Sequence, residues 1–140
     1  MLTAELLLKE LQKKYGKKLN YKKICADEEI ISIKEKLRDG INGFYAKVGL
    51  YKFIVLNESL PYAERRDWGW HELFHHFKSC NTPNEIFIKR DEINASLFAS
   101  LVRIEAVIED DTITTLVERY NVSPWLAKIR LDYELKKITL

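Results

Sequence analysis

The chain has 140 residues, 46% hydrophobic and 31% charged, with a formal net charge of +2. That balance is globular. It excludes a disordered chain, and its small net charge advertises no polyanionic partner. No apolar run approaches the roughly 20 residues needed to span a bilayer.

At this length one domain over residues 1–140 is expected, large enough to need no disulfide staple. The opening "MLTAELLLKE" has early acidic residues and no small-residue cleavage site, which argues against a signal peptide. The isolated Cys25 and Cys80 are then expected as reduced thiols of a cytoplasmic protein.

Residues 2–15 place Leu2, Leu6, Leu7, Leu11 and Tyr15 near helical spacing, so an amphipathic helix ending at Gly16 is expected. "KKYGKKLNYKK" (13–23) concentrates six lysines. A solvated helix end and loop is favoured there over a phosphate-contacting patch. "EIISIKEKL" fits a helix or a short strand. "GFYAKV" and "YKFIVLN" flank Gly49 and predict a hairpin. Pro61 suits the opening of a helix from about Tyr62 to Lys78, broken by "SCNTPNE". A second long helix, apolar on most sides, is expected from about Asp91 to Glu109. A helical pair should follow over about 112–138, with Ser123 capping its second member and Pro124 opening it.

All three histidines lie in "HELFHH", residues 71–76. HExxH on a helix has a mechanism. Residues four apart project about 40° apart, so His71 and His75 can bind one metal ion. Glu72 lies close to that face and can take a proton from water at the metal. His76 projects about 120° away from the bisector of the other two and should not share their ion. The competing view is a core helix whose histidines only pack.

A zinc site needs a third protein ligand. No histidine remains, which leaves a carboxylate or Cys80. Cys80 faces away on the helical wheel. Glu92 is preferred because it shares a face with Ala95, Ser96 and Ala99, small residues that allow two helices to approach. Asp91 and Glu85 are runners-up, and Glu105 falls on the opposite side. An acidic residue in a helix's first turn also has a simple dipole explanation. Tyr45, Tyr62 and Arg66 are candidate oxyanion donors among which the sequence does not choose.

From about Gly43 to Leu131 the chain resembles the ImmA/IrrE family of HExxH metallopeptidases. The likeness rests on "GFYAKVGLYKFIVLNESLPYAERR", "HELFH", "EINASLFA" and "LVERYNVSPWLAKIRL". Matched by position, it also makes Glu92 the third zinc ligand. It departs from the family at Phe74, where glycine is usual, and at Ser96, where Asn or Asp is usual. The helix carrying Glu92 also lacks the proline that normally ends it.

The resemblance implies an α+β, zincin-like domain, with helices on a short antiparallel sheet or hairpin and HExxH on a central helix. It implies a zinc-dependent peptidase that cuts a helix-turn-helix repressor, in a phage or prophage setting. Two rival readings are a non-catalytic regulator that binds a repressor, and direct DNA binding by residues 115–131. The second is disfavoured because Trp125, Leu126 and Ile129 suit base edges poorly. Neither a membrane nor a nucleic-acid partner is expected.

Overall fold

The Thr3 hydroxyl accepts from the Leu6 N–H and opens α1 (Ala4–Tyr15), whose Ala4, Leu7 and Leu11 are buried. Gly16 ends it at φ 95°, a left-handed conformation suited to glycine. This is a computed structural model, and it describes residues 2–81 and 89–139.

A short helix not foreseen in the lysine-rich stretch follows: α2 (Tyr21–Asp27), capped by the Asn20 side chain on the Lys23 N–H. It buries Ile24 and Cys25, while Lys13, Lys14, Lys17, Lys18, Lys22 and Lys23 are all exposed.

Three strands come next: β1 (Ile30–Glu35), β2 (Gly43–Val48) and β3 (Tyr51–Asn57), in the order β1-β3-β2. The hairpin at Gly49 forms as expected, with Tyr45 opposite Ile54. The sheet is mixed rather than antiparallel, because β1 joins β3 in parallel with Ser32 opposite Ile54. This resolves the ambiguous "EIISIKEKL" as a strand. The parallel partner lies some 20 residues away, beyond the reach of local periodicity.

Pro61 opens α3 (Tyr62–Asn81), which lies on the sheet and carries His71, Glu72, His75 and His76. The core is built from Ile54 and Leu56 of the sheet, Trp70, Leu73 and Phe74 of α3, and Ala95, Phe98 and Ala99 of the next helix. That helix, α4 (Lys89–Arg103), packs tightly along α3. Its small Ala95 and Ala99 are fully buried, as close approach requires.

The expected run of α4 to Glu109 is wrong. The helix stops at Arg103, and Glu105 lies outside it. Tertiary bonds replace the helical ladder. The Tyr120 hydroxyl receives the Ala106 N–H and donates to the Ala106 carbonyl, and Arg130 Nε donates to the Ile104 carbonyl. Arg103 is itself held by buried Asp67, at 2.9 Å, and by the Asn121 carbonyl.

The C-terminal pair is α5 (Ile113–Tyr120) and α6 (Pro124–Thr139). Thr112 and Thr115 form a reciprocal capping box on α5, and Asn121 closes it at φ 53°. Ser123 is not the side-chain cap expected for α6. Among the described residues its hydroxyl has no hydrogen-bond partner, and its N–H goes to Asp67 Oδ2 at 2.7 Å. The described chain is thus α+β, with six helices and a small three-stranded mixed sheet. Among the described residues, no helix is long and apolar enough to cross a membrane.

Candidate metal centre

His71 and His75 lie one turn apart on α3, their ring centroids 5.0 Å from each other. Both are nearly fully buried. Glu92 enters from the first turn of α4 and reaches both rings. Its Oε2 lies 3.1 Å from His71 Nε2 and its Oε1 lies 2.7 Å from His75 Nε2. The dipole explanation of a first-turn acid and the ligand explanation therefore both apply to the same side chain.

These three residues form a group that could hold a metal ion, with one donor atom from each lying within 4.8 Å of the others. Tetrahedral ligands at about 2 Å from an ion stand roughly 3.3 Å apart, so the donor set needs only a small adjustment to fit. A metal-ligating imidazole must leave one nitrogen unprotonated and place its proton on the other. Ser96 Oγ lies 3.1 Å from His71 Nδ1 and can accept that proton's hydrogen bond, directing Nε2 toward Glu92. Ser96 thus supports His71 from α4.

Glu72 faces the same cleft, its Oε2 3.9 Å from His71 Nε2. Burial raises its pKa from 4.5 to about 7, and the Glu92 charge adds to the rise. The His71 interaction and a hydrogen bond from the Tyr45 main chain oppose it. Burial likewise lowers the pKa of His75, which favours the neutral ring a metal requires. Hydrogen bonding to His71 holds the Glu92 carboxyl below its ordinary value.

The cleft is a cavity of about 380 Å³, walled by residues 40–45 on one side and by Trp68, His71, Glu72 and His75 on the other. Asn57 shapes the first wall. Its amide nitrogen donates to the Ile41 carbonyl at 2.9 Å, while its Oδ1 accepts from the Ser59 N–H and hydroxyl. Sequence reasoning did not single out Trp68, whose ring meets His71 at 4.8 Å between centroids and Trp125 at 4.9 Å. Asn57 lies in the hairpin stretch that carries the resemblance, but no role was assigned to it. The only signal for either was its place beside a motif.

The remaining candidates are elsewhere. His76 is fully buried and turned away, with Nε2 2.8 Å from Glu28 Oε1 and Nδ1 2.9 Å from the Tyr45 hydroxyl. Cys80 is exposed and stands 3.8 Å from His76, outside the triad. Asp91 is buried, 3.9 Å from Lys78 Nζ, and does not join the metal group. Glu85 lies outside the described residues. Glu105 is exposed and 3.9 Å from Lys17.

Of the oxyanion candidates, only Tyr45 borders the cleft, and its hydroxyl is committed to His76. Tyr62 and Arg66 line a separate cavity of about 520 Å³ that contains none of the histidines. Phe74 does not narrow the metal cleft. Its ring is fully buried against Phe98, 5.9 Å between centroids, in the α3–α4 core.

In the DNA-binding candidate, Leu126, Ala127 and Arg130 are buried, and Lys128 pairs with Asp132 at 3.0 Å. Comparison with family models, with curated proteins and with solved structures finds no match to this chain.

Proposed function

We propose that the protein is a zinc-dependent peptidase of the ImmA/IrrE type with a zincin-like fold, acting on a protein substrate such as a helix-turn-helix repressor. One observation carries this reading. Two imidazoles a helical turn apart and a carboxylate from a second helix converge on one point, with a second, buried carboxylate facing the same cleft. The donor set, two imidazoles and one carboxylate, favours zinc in an open hydrolytic site.

In this mechanism His71 and His75 present Nε2, and Glu92 presents an oxygen. Zinc, when bound, supplies a Lewis acid and acidifies water at the site. Glu72 removes a proton from the attacking water as its oxygen adds to the scissile carbonyl carbon. Glu72 then delivers that proton to the amine nitrogen as the C–N bond breaks. Trp68 walls the His71 side of the cleft against solvent.

A second reading has its own observation. Glu92 already bonds both imidazoles, so the three side chains also satisfy one another as a hydrogen-bonded cluster. A regulator that binds a repressor without cutting it would need no more than that. Incubating zinc-loaded protein with a helix-turn-helix repressor separates the two. The peptidase yields two fragments, and Glu72→Gln retains zinc but yields none. An intact repressor whose DNA binding is relieved equally by both proteins favours the regulator.

A further inference from the structure

The sheet has two faces, and the described helices cover one. Ser32 opposite Ile54, itself opposite Tyr45, defines the inner face. Tyr21 of α2 meets Ser32 there, and His76 of α3 meets Tyr45. Because strand side chains alternate, the next positions point outward. One outward row runs Ile31, Phe53 and Ala46, and the next runs Ile33, Val55 and Phe44. The hairpin end adds Val48 opposite Tyr51.

A sheet face in contact with water normally alternates to polar residues. This one is apolar from the hairpin turn to Val55, with a polar row of Glu35 and Asn57 at its far end; Phe44, Val48 and Tyr51 are 41%, 62% and 64% exposed around a buried Val55. At about 3.3 Å per residue and 4.8 Å between strands, its footprint is roughly 20 by 14 Å. Side-chain relief makes that on the order of 600 Å² of accessible surface. Contiguous apolar patches of that size mark interaction sites.

We propose that this face pairs with the same face of a second copy of the chain, forming a two-sheet sandwich about a two-fold axis. Three features select a second copy. A pleated apolar face is complementary to itself, and sheets stack at about 10 Å with their side chains interdigitated. Two such faces bury on the order of 1,200 Å², the lower bound of a specific stable interface. Finally, the outward rows carry a charge only at Glu35, at the end of the sheet opposite the hairpin turn. An antiparallel two-fold pairing sets each Glu35 at the other copy's hairpin end and away from its own mate, so no like charges meet. Lys47 and Lys52 share the inner face with Tyr45 and Ile54, so the outward surface is apolar rather than basic. The metal ligands sit on α3 and α4, on the other side of the sheet from this face, with Phe44 shared between the cleft wall and the face, and the inference does not rest on peptidase activity.

Sedimentation equilibrium of the full chain tests this, from about 1 to 100 µM, the range suited to a minimal interface. The expected result is a reversible shift from one chain toward two. Tyr51→Lys and Val48→Lys, both beside the hairpin turn, should each weaken association at least tenfold while leaving the circular dichroism spectrum unchanged. Ile108→Lys, an exposed apolar residue on a distant loop, should leave association unaltered. A monomer across the whole range overturns the proposal, including the case in which the same face adsorbs to lipid vesicles instead. So does a dimer that both lysine variants leave intact.

Discussion

Replacing Glu72 with Gln should stabilise the metal-free protein, and more so as pH rises. Burial holds the Glu72 carboxyl at about 7 in the fold against 4.5 in the open chain. The folded state therefore binds this proton more tightly than the unfolded state does. Its contribution is fully present below pH 4.5 and is lost as pH rises through 7. One pKa unit corresponds to about 1.4 kcal/mol, so the full loss is about 3.4 kcal/mol, with about 2.5 kcal/mol falling between pH 5 and pH 8. Glutamine keeps the shape and a hydrogen-bonding oxygen but carries no charge. The assay is urea unfolding of both proteins in a chelator at pH 5 and pH 8. The gain of the variant over wild type should grow by about 2.5 kcal/mol between the two. A gain that is the same at both pH values, within about 0.5 kcal/mol, would refute the buried, proton-holding environment assigned to Glu72.

Three further outcomes follow from the same geometry. Ser96→Ala removes the partner of His71 Nδ1 and should weaken zinc binding about 10- to 100-fold in competition with a chromophoric chelator, at unchanged thermal stability of the metal-free form. Asp67→Ala strands the Arg103 guanidinium and the Ser123 N–H together and should cost about 3–5 kcal/mol in urea unfolding. Phe74→Ala should cost about 3–5 kcal/mol for its cavity against Phe98, yet leave zinc affinity within about twofold, because the ring lies in the core and not in the cleft.

How much was legible in the sequence depended on how local the cause was. His71 and His75 face one way because helical geometry alone sets i and i+4 on one side, and the helix had clear start and stop signals. Glu92 was legible through Ala95, Ser96 and Ala99, since small residues in register announce a close helix neighbour. The two strands about Gly49 were equally plain.

What escaped was set by distant partners. The parallel pairing of β1 with β3 joins segments separated by the whole hairpin strand β2, and no local period encodes it. The end of α4 carries neither glycine nor proline. It is decided by Tyr120 and Arg130, residues from later helices that take over its backbone bonds. Ser123 has the composition of a cap, but Asp67, 56 residues earlier, claims its N–H instead. The wheel turned His76 away correctly, yet its partner Glu28 lies 48 residues upstream and was invisible. The seven-residue α2 was missed although Asn20 is a good cap, because its lysines read as solvated loop.

The central claim is that His71, His75 and Glu92 hold one metal ion. A zinc titration of chelator-stripped protein against a competing chromophoric chelator tests it most directly. The account predicts one tight zinc per chain, and a loss of at least a hundredfold in affinity for His75→Ala and Glu92→Ala. It predicts an undiminished site in Cys80→Ser and Asp91→Asn. No zinc uptake by wild type, or uptake that survives Glu92→Ala unchanged, would contradict it.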